Sequence, residues 1–578
     1  MFKKLVSVLF LLLLCTPAYS YTETGVTHTS FVYASQDYVM RDSVIDMTGI
    51  EKFWDPRYPS YSLSDRQGVY ACKGAKVDIE NGTLYTPLSG RVGGSVKGLI
   101  ALNGAALNLK SYDIKMVDLN PARTTLYLYG MQVWGPSSAD ISKANIYMDT
   151  AETAIAIAAF NSGDVKVSDS KIVISGDAEY GHGAAMDSGS SINMQNVSID
   201  ILAGDAKGVI LKKENKASLS GVDINIRLTD RAFRYQSASG IDTANGSTLE
   251  LKDSKVAIEG DKLAALTISN TTDMNMTGSE ITSEGSFAKG ILIYNRGDYY
   301  PEEKKYDKQK ISQNIDKSDI TVRGTSGIGI EVSKSRNVSI SDSDITVIGS
   351  RGRGISVAGE RIIDDNFNIK GITGTSAAKI SGGSITVSDD HSSSGSNYYH
   401  SAAVYAMNGG VVSLDRTKIN ISGDAYAFRA DRNGEIHISN MSVTEEDLPK
   451  GNLVFTINNG RFSAANSILH GKIENYANDT PLGALDVTLS DNTYWKGYAM
   501  YSSENEIGKV NINLDDTSRW DVTKNSNTNG LLANDGLINF GEKAEDGFKT
   551  VSVGSYNGGA DSALIMKTDI NAKEKNDK

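Results

Sequence analysis

Residues 164–201 read DVKVSDSKIVISGDAEYGHGAAMDSGSSINMQNVSIDI, and one phrase occurs twice in this stretch. The phrase is apolar-x-apolar, a few polar or small residues, then apolar-x-apolar again. Val165-Lys166-Val167 is followed in this way by Ile172-Val173-Ile174, and Ile192-Asn193-Met194 by Ile199-Asp200-Ile201. Alternation with a period of two, interrupted by Gly, Asn, Asp and Ser, predicts short β-strands joined by turns.

The phrase recurs along most of the chain at a nearly constant interval. Three consecutive steps between Ile146 and Ile224 are 26, 27 and 25 residues, and the 40-residue step from Ile345 to Ile385 contains an insertion. A second, Gly-led phrase follows the first at 204–210, 285–291, 324–330 and 349–355. One apolar residue from each repeat forms a column: Leu84, Ile114, Ile146, Ile172, Ile199, Ile224, Val256, Ile281, Ile320, Ile345, Ile385, Ile419 and Val443.

These repeats predict an all-β protein, a parallel β-helix of about 18 to 20 coils. A repeat near 25 residues that holds about three short strands corresponds to one coil, and alternate residues of each strand point inward. The β-branched column therefore becomes a stack along the bore. A leucine-rich repeat has a similar period but needs a Leu frame with an Asn ladder. A transmembrane β-barrel needs strands of about ten residues and aromatic girdles. Neither pattern is present.

The composition excludes several classes of protein. The chain has 578 residues, with 58 Lys and Arg against 70 Asp and Glu, a formal charge of -12. Such an acidic balance argues against a nucleic-acid partner and against docking on anionic lipid. The 56 Gly and 9 Pro fit a chain with many turns, and 2 Cys with 6 His make a zinc site or a thiol enzyme improbable.

The N-terminus predicts export. Lys3 and Lys4 precede an apolar run over 5–14, and Ala18-Tyr19-Ser20 ends the segment. This order is typical of a secretory signal peptide, and the run is too short to span a bilayer. Cleavage after Ser20 removes Cys15 and leaves Cys72 as the one cysteine, so no intramolecular disulfide can form in the exported chain.

The last hundred residues carry a more specific pattern. Residues 520–526 read WDVTKNS, 532–540 read LANDGLINF and 548–553 read FKTVSV. This series, W-x-V-T-x-x-S, L-x-x-x-G-x-I-x-F and F-x-T-x-x-V, resembles the pertactin-like passenger domain of bacterial autotransporters. The match is specific over 480–570, and the Gly-rich coils from about Gln36 resemble the same family's β-helix in a more general way.

The resemblance implies a right-handed β-helix and a Gram-negative surface or secreted protein in three parts: a signal peptide, a passenger and a C-terminal translocator barrel. It also implies that 480–570 acts as a folding nucleus, because a solenoid can nucleate at its most stable coils. The expected organisation is a signal peptide over 1–20, passenger coils over 21–479, the C-terminal passenger segment over 480–570 and a charged tail over 571–578. No translocator barrel follows the tail, so we expect a fragment, a truncated gene or a separately supplied barrel.

Several motifs could indicate catalysis. Asp187-Ser188-Gly189-Ser190 is similar to the nucleophile segment of trypsin-like proteases, but its position between repeats predicts a turn. Gly181-His182-Gly183 and Asp364-Asp365 resemble two polygalacturonase motifs, but they stand in reversed order and about seven coils apart. Asp389-Asp390 beside His391 is the nearest approach to the calcium-binding acid cluster of a pectate lyase, and it lies in a Ser-rich loop. We therefore expect no catalytic residues, no metal and no cofactor.

The candidate binding residues lie in loops. Arg296-Gly297-Asp298 is an R-G-D tripeptide, and Tyr299 and Tyr300 follow it. Tyr-rich loops also occur at 54–66, 299–306 and 392–400, and Tyr offers a large contact area at low entropic cost. Loops on a rigid solenoid commonly carry its variable function.

The sequence thus predicts a non-enzymatic adhesin or self-association factor, exported through the periplasm and displayed at the outer membrane or secreted. Its expected partners are a host-cell surface protein or glycan, or the same passenger on a neighbouring cell, with membrane contact only through the missing barrel. The alternatives are a β-helical polysaccharide lyase or hydrolase, which needs carboxylates that converge within one or two coils, and an inert stalk from a truncated gene.

Overall fold

The structure is a computed structural model, and it describes residues 21–566 except 30, 50–65, 89–93, 119–125, 151, 230–237, 245, 295–310, 364–368, 374–375, 390–399, 458, 477–482, 503–507 and 542–547. The predicted signal peptide and charged tail lie outside the described residues. The first strand among the described residues is Tyr21–Thr24. No helix among the described residues is long and apolar enough to cross a membrane.

The chain divides into two compact units, residues 1–256 and 257–578. In each unit the chain passes through three strands per coil, here named the first, second and third face in chain order, and neighbouring coils pair in parallel. The boundary between the units falls within the strand Lys255–Glu259.

Each face of the first unit consists of stacked short strands. The first-face strands are Tyr21–Thr24, Tyr38–Arg41, Lys76–Glu80, Ala106–Lys110, Ser138–Ser142, Asp164–Ser168, Ser191–Gln195, Lys216–Ser220 and Thr248–Lys252. The second-face strands are Thr27–His28, Val44–Asp46, Thr83–Leu88, Asp113–Asp118, Asn145–Asp149 and Asp223–Leu228. The third-face strands are Val32–Ala34, Arg66–Ala71, Gly94–Leu102, Leu126–Trp134, Thr153–Phe160 and Ser239–Thr243. Two long strands, Lys171–Asp187 and Ser198–Leu211, run through both the second and the third face, and Met47–Gly49 forms a 3-10 turn.

The second unit repeats this arrangement. Its first-face strands are Asp273–Thr277, Gln313–Asp316, Val338–Ser341, Ala377–Ser381, Val411–Asp415, Gly434–Ser439, Gly460–Ala465, Ala484–Ser490, Lys509–Leu514, Asn529–Asn534 and Ser555–Gly558. Its second-face strands are Glu280–Glu284, Asp319–Arg323, Asp344–Ile348, Ser384–Ser388, Lys418–Ser422, Ser442–Val443, Arg519–Val522, Leu537–Asn539 and Ala563–Ile565. Its third-face strands are Ala264–Ser269, Lys289–Tyr294, Ile328–Ser333, Arg353–Ala358, Ala402–Met407, Tyr426–Asp431, Asn452–Ile457, Ser526–Asn527 and Val551–Ser552. Ile468–Tyr476 and Tyr494–Ser502 serve both the second and the third face, and Glu360–Ile363 pairs with Ile369–Thr373 as an antiparallel hairpin.

The predicted β-helix is therefore confirmed, with nine first-face strands in the first unit and eleven in the second among the described residues. The predicted column lies on the second face and its members pair in register within each unit, for example Ile146 with Ile172 and Ile320 with Ile345. Each member is at most 2% exposed, as burial of the alternate apolar residues requires. In the second unit the column continues past Val443 through Leu469, Trp495, Trp520 and Ile538.

Glycines on the third face make room for this column. A Cβ on Gly183 would lie 2.7 Å from Ile199 Cγ2 and 2.6 Å from the carbonyl oxygen of Gly208. A Cβ on Gly329 would meet Ile345 Cγ2 at 2.5 Å and Gly354 O at 2.5 Å. The inner side of the third face thus packs against the column of the next coil, so the bore is filled.

Candidate functional site

The loop residues with the strongest sequence signal are not among those that the structure describes. Arg296, Gly297, Asp298, Tyr299 and Tyr300 all lie outside the described residues. The same holds for most of the three Tyr-rich loops, for Asp364-Asp365, and for Asp390 and His391. The binding role of these residues therefore stays a prediction.

Asp187-Ser188-Gly189-Ser190 forms a turn between a third-face and a first-face strand. Ser188 and Gly189 have positive φ values of 55° and 74°. Ser190 is buried and its Oγ donates to the carbonyl oxygen of Asp187 at 2.8 Å. The hydroxyl of Ser190 thus stabilises the turn, as the sequence predicts for this phrase.

The first and second faces carry mainly polar side chains on their outer sides. In the first unit, Asn108 Nδ2 donates to Asp78 Oδ1 at 2.5 Å, and Lys110 Nζ donates to Glu80 Oε1 at 2.8 Å. These side chains line an open groove of about 410 Å³, with Arg41 and Asp140 at its sides. Its ion pairs are largely exposed to solvent, so each contributes little to stability.

The third face differs from the first and second faces because its outer side is rich in aromatic rings. The outer side is the one turned away from the column. In the first unit Trp134 and Phe160 lie on neighbouring strands with ring centroids 4.4 Å apart. Tyr33 and Tyr70 stack with centroids 5.7 Å apart, and Cys72 Sγ lies 3.3 Å from the Tyr33 hydroxyl. The side chains of Tyr127 and Tyr180 remain 47% and 42% exposed. This is the largest set of outward aromatic side chains in the described part of the first unit.

A buried ionic cluster adjoins these rings. Lys207 Nζ donates to Asp242 Oδ2 at 2.7 Å, with the two side chains 17% and 3% exposed. Burial raises the pKa of Asp205 to about 6, and the charge of Asp242 adds to this shift while Lys207 opposes it. Burial lowers the pKa of His182 to about 3, with Lys207 contributing, so the imidazole is neutral at physiological pH.

The second unit carries a denser cluster on the same side of its third face. Tyr405, Arg429 and Asp431 are each at most 5% exposed. The Arg429 guanidinium contacts the Tyr405 ring at 4.9 Å and donates from Nε to Asp431 Oδ2 at 2.8 Å. Arg353 lies over the same ring at 4.5 Å. Burial raises the pKa of Tyr405 to about 12, and its protonated hydroxyl donates to Asp431 Oδ2 at 2.9 Å.

The cluster extends across the next coils. Tyr426 and Phe455 pack with ring centroids 4.8 Å apart, and His400 contacts both rings edge-on. The Tyr426 hydroxyl donates to Glu474 Oε2 at 2.8 Å, and Lys472 Nζ lies 2.9 Å from the same oxygen. Since these groups are paired with one another and buried, the cluster contributes to the packing and register of these coils.

The described third face of the first unit presents an outward aromatic surface. No three His, Cys, Asp or Glu side chains in the described part of the chain could hold a metal ion. The binding residues predicted from the sequence lie in loops, and that prediction did not include the outward side chains of the third face. Their signal was present in stretches such as Tyr127-Leu128-Tyr129, where aromatic residues occupy the outward positions of an alternating strand.

Comparisons with known proteins agree with the fold. No family model matches the chain, and no curated protein matches it. Among solved structures, the fold is similar to Vag8, a Bordetella autotransporter passenger determined by cryo-EM in a complex with C1 inhibitor. The match covers 85% of this chain and 100% of that one, with a TM-score of 0.53 and 12% sequence identity. At this identity the likeness concerns the fold alone, a parallel β-helix of the kind that an autotransporter passenger adopts.

Proposed function

We propose that this chain is the exported passenger of an autotransporter and acts at the bacterial surface by binding, as an adhesin or a self-association factor. The observation that carries this proposal is the outer side of the third face in the first unit, where the exposed Tyr127 and Tyr180 stand beside charged groups. Exposed tyrosines on a rigid strand lose little side-chain entropy when they bind a partner.

Two further observations support the proposal. The N-terminal segment has the order of a signal peptide. The fold is similar to that of Vag8, a passenger whose structure was solved with a bound host protein, C1 inhibitor. A host-cell protein or glycan, or a second copy of this passenger, is accordingly the proposed partner.

The decisive test is display of this passenger on an intact translocator in a bacterium that does not adhere. We expect such cells to attach to epithelial monolayers, or to aggregate, more than cells that display an unrelated β-helix of similar length. Equal attachment and equal aggregation would contradict the proposal and favour an inert stalk. A mixed culture of displaying and non-displaying cells separates self-association from binding to another surface molecule.

We also propose that the passenger acts without catalysis. The purified chain is incubated with pectin, alginate and hyaluronan, and released unsaturated or reducing sugar is measured. A polysaccharide lyase or hydrolase would release such products, and we expect none above the level of a heat-inactivated sample.

A further inference from the structure

One outward column of the third face alternates small hydroxyl residues with tyrosines. Ser95, Tyr127, Thr153 and Tyr180 are partners on four successive coils, and Asp205 follows on the next coil. The neighbouring residues Leu128 and Ala154 are fully buried, so the column points outward. Tyr127 and Tyr180 are thus two coils apart, with Thr153 between them.

Aromatic pairs of this unit provide a scale for the distance between the two rings. Rings on adjacent third-face strands are in contact, with centroids 4.4 Å apart for Trp134 and Phe160 and 5.7 Å for Tyr33 and Tyr70. Two strand spacings amount to about 9.6 Å, which exceeds the roughly 4.5–7 Å of rings in direct contact. Because Tyr127 and Tyr180 project outward from strands two coils apart, this spacing leaves room for one ring between them, above Thr153. We call this space the slot.

The groups around this slot are polar and acidic. The carboxylate of Glu179 accepts a hydrogen bond from the Tyr180 hydroxyl, and its charge, together with burial, raises the pKa of Tyr180. Asp205 and Tyr127 contribute to the same shift, so these groups lie close to the phenol. Thr153 is half-buried and has a hydroxyl that can donate or accept. The surroundings of the slot thus combine two aromatic faces with hydroxyl and carboxylate oxygens.

We propose that the slot formed by Tyr127, Thr153 and Tyr180 binds one sugar ring of an uncharged glycan. The inference rests on the proposed function and assigns it a ligand class and a site. A pyranose presents C–H groups to the aromatic faces on either side and hydroxyls to Thr153 and Glu179. An apolar peptide side chain would fill the same space but offer no hydrogen-bonding group to the Thr153 hydroxyl.

Charge decides between glycan classes. Glu179 and Asp205 adjoin the slot, Lys207 beside Asp205 is paired with Asp242, and the whole chain has a formal charge of -12. Sialylated, sulfated and uronic acid glycans would bring like charge to the slot, which costs binding energy. Uncharged hexose and N-acetylhexosamine units do not incur this cost.

Binding is measured with the full-length exported chain by biolayer interferometry on immobilised lactose, N-acetyllactosamine, chitotriose and mannotriose, with sialyllactose and a heparin tetrasaccharide as charged comparators. We expect at least one uncharged probe to bind, and Tyr127→Ala and Tyr180→Ala each to weaken its Kd at least tenfold. Tyr85→Ala, an exposed tyrosine on the second face of the same unit, is the matched control and should leave the Kd unchanged.

Thr153→Phe is the more specific test of the slot, because it leaves both tyrosines in place. Rings on adjacent strands pack at contact distance, so a phenylalanine at this position would fill the space between the two tyrosines. We expect it to abolish glycan binding without lowering the thermal unfolding temperature. The inference is overturned if no uncharged probe binds, if a charged probe binds better, or if binding survives Thr153→Phe. If cells that display Thr153→Phe still attach, the proposed function stands, but the slot is not the site that carries it.

Discussion

The indole rings of Trp495 and Trp520 stack one coil apart, with centroids separated by 4.7 Å and planes inclined by 13°. Both side chains are fully buried. Each Nε1 donates to a glycine carbonyl one coil earlier, Trp495 to Gly471 at 3.0 Å and Trp520 to Gly497 at 3.1 Å. The two tryptophans occupy the column that Ile and Val fill in earlier coils, so the bore holds its largest side chains here.

Replacement of Trp520 by alanine should lower the free energy of unfolding of the second unit by about 3–5 kcal/mol, the usual cost of a large aromatic cavity in a core. Hydrogen exchange measured by mass spectrometry should show faster exchange in the strands Tyr494–Ser502 and Leu537–Asn539. Exposed Leu531→Ala in the same unit is the control, with an expected change within about 0.5 kcal/mol. Unchanged exchange in Trp520→Ala would show that the stack does not stabilise these coils.

Gly497 allows the tryptophans to approach the backbone. A Cβ at this position would lie 1.9 Å from the Gly471 carbonyl oxygen and 2.4 Å from Trp495 Nε1. Gly497→Ala should therefore destabilise the second unit by more than 2 kcal/mol, measured by guanidinium unfolding. Gly74→Asn is the control, since nothing lies within 4 Å of its Cβ position and Asn tolerates its φ of 76°. Similar stabilities of the two variants would contradict this account.

The buried carboxylate of Asp431 accepts three hydrogen bonds. Its partners are the Tyr405 hydroxyl, Arg429 Nε and the backbone nitrogen of Ile457, the last at 2.7 Å. Asp431→Ala should cost about 3–5 kcal/mol, because it leaves the Arg429 guanidinium buried without its counter-charge. The exposed pair Arg461–Glu435 provides the control, and Glu435→Ala should cost at most about 1 kcal/mol. The prediction fails if urea unfolding gives equal losses for the two variants.

Asp205 should make the stability of the first unit depend on pH. Burial holds the pKa of this carboxyl at about 6 in the folded chain, above its ordinary value of 3.8, and its Oδ1 has no hydrogen-bond partner among the described residues. The folded state therefore binds the extra proton between about pH 4 and 6, and stability falls as pH rises through that window. Asp205→Asn removes the buried charge and should raise the unfolding temperature at pH 7.5, with the gain fading below pH 4.

The control for this effect is Asp140→Asn, which removes an exposed charge from the first face of the same unit. The unfolding temperature of this control variant should differ from that of the unmodified chain by the same small amount at pH 3.5 and at pH 7.5. An Asp205→Asn gain that is equally large at pH 3.5 and pH 7.5 would rule out titration of this carboxyl as the cause. His182 has the opposite effect on the stability of the first unit. Its buried imidazole stays neutral in the folded chain while the unfolded chain takes up a proton, so stability falls as pH drops from about 6.5 towards 3.

The repeat by itself determined the coil, its three strands and the column that fills the bore. These features are local: an alternating strand places every second residue inward wherever the strand lies, and a turn follows where Gly, Asn or Asp interrupts it. The position of Trp495 and Trp520 in the column follows from the same alternation, although in the sequence they stand out only through the resemblance of their segment to an autotransporter passenger.

Tertiary structure decided which outward residues of the third face are buried and which are available to a ligand. Arg429 and Tyr127 both occupy outward positions of third-face strands, yet one is 4% and the other 47% exposed. The difference depends on neighbours that stand one coil away, such as Tyr405 beside Arg429 and Thr153 beside Tyr127. The sequence alternation sets the direction of a side chain, whereas its burial and its partners arise only when distant coils are stacked in register.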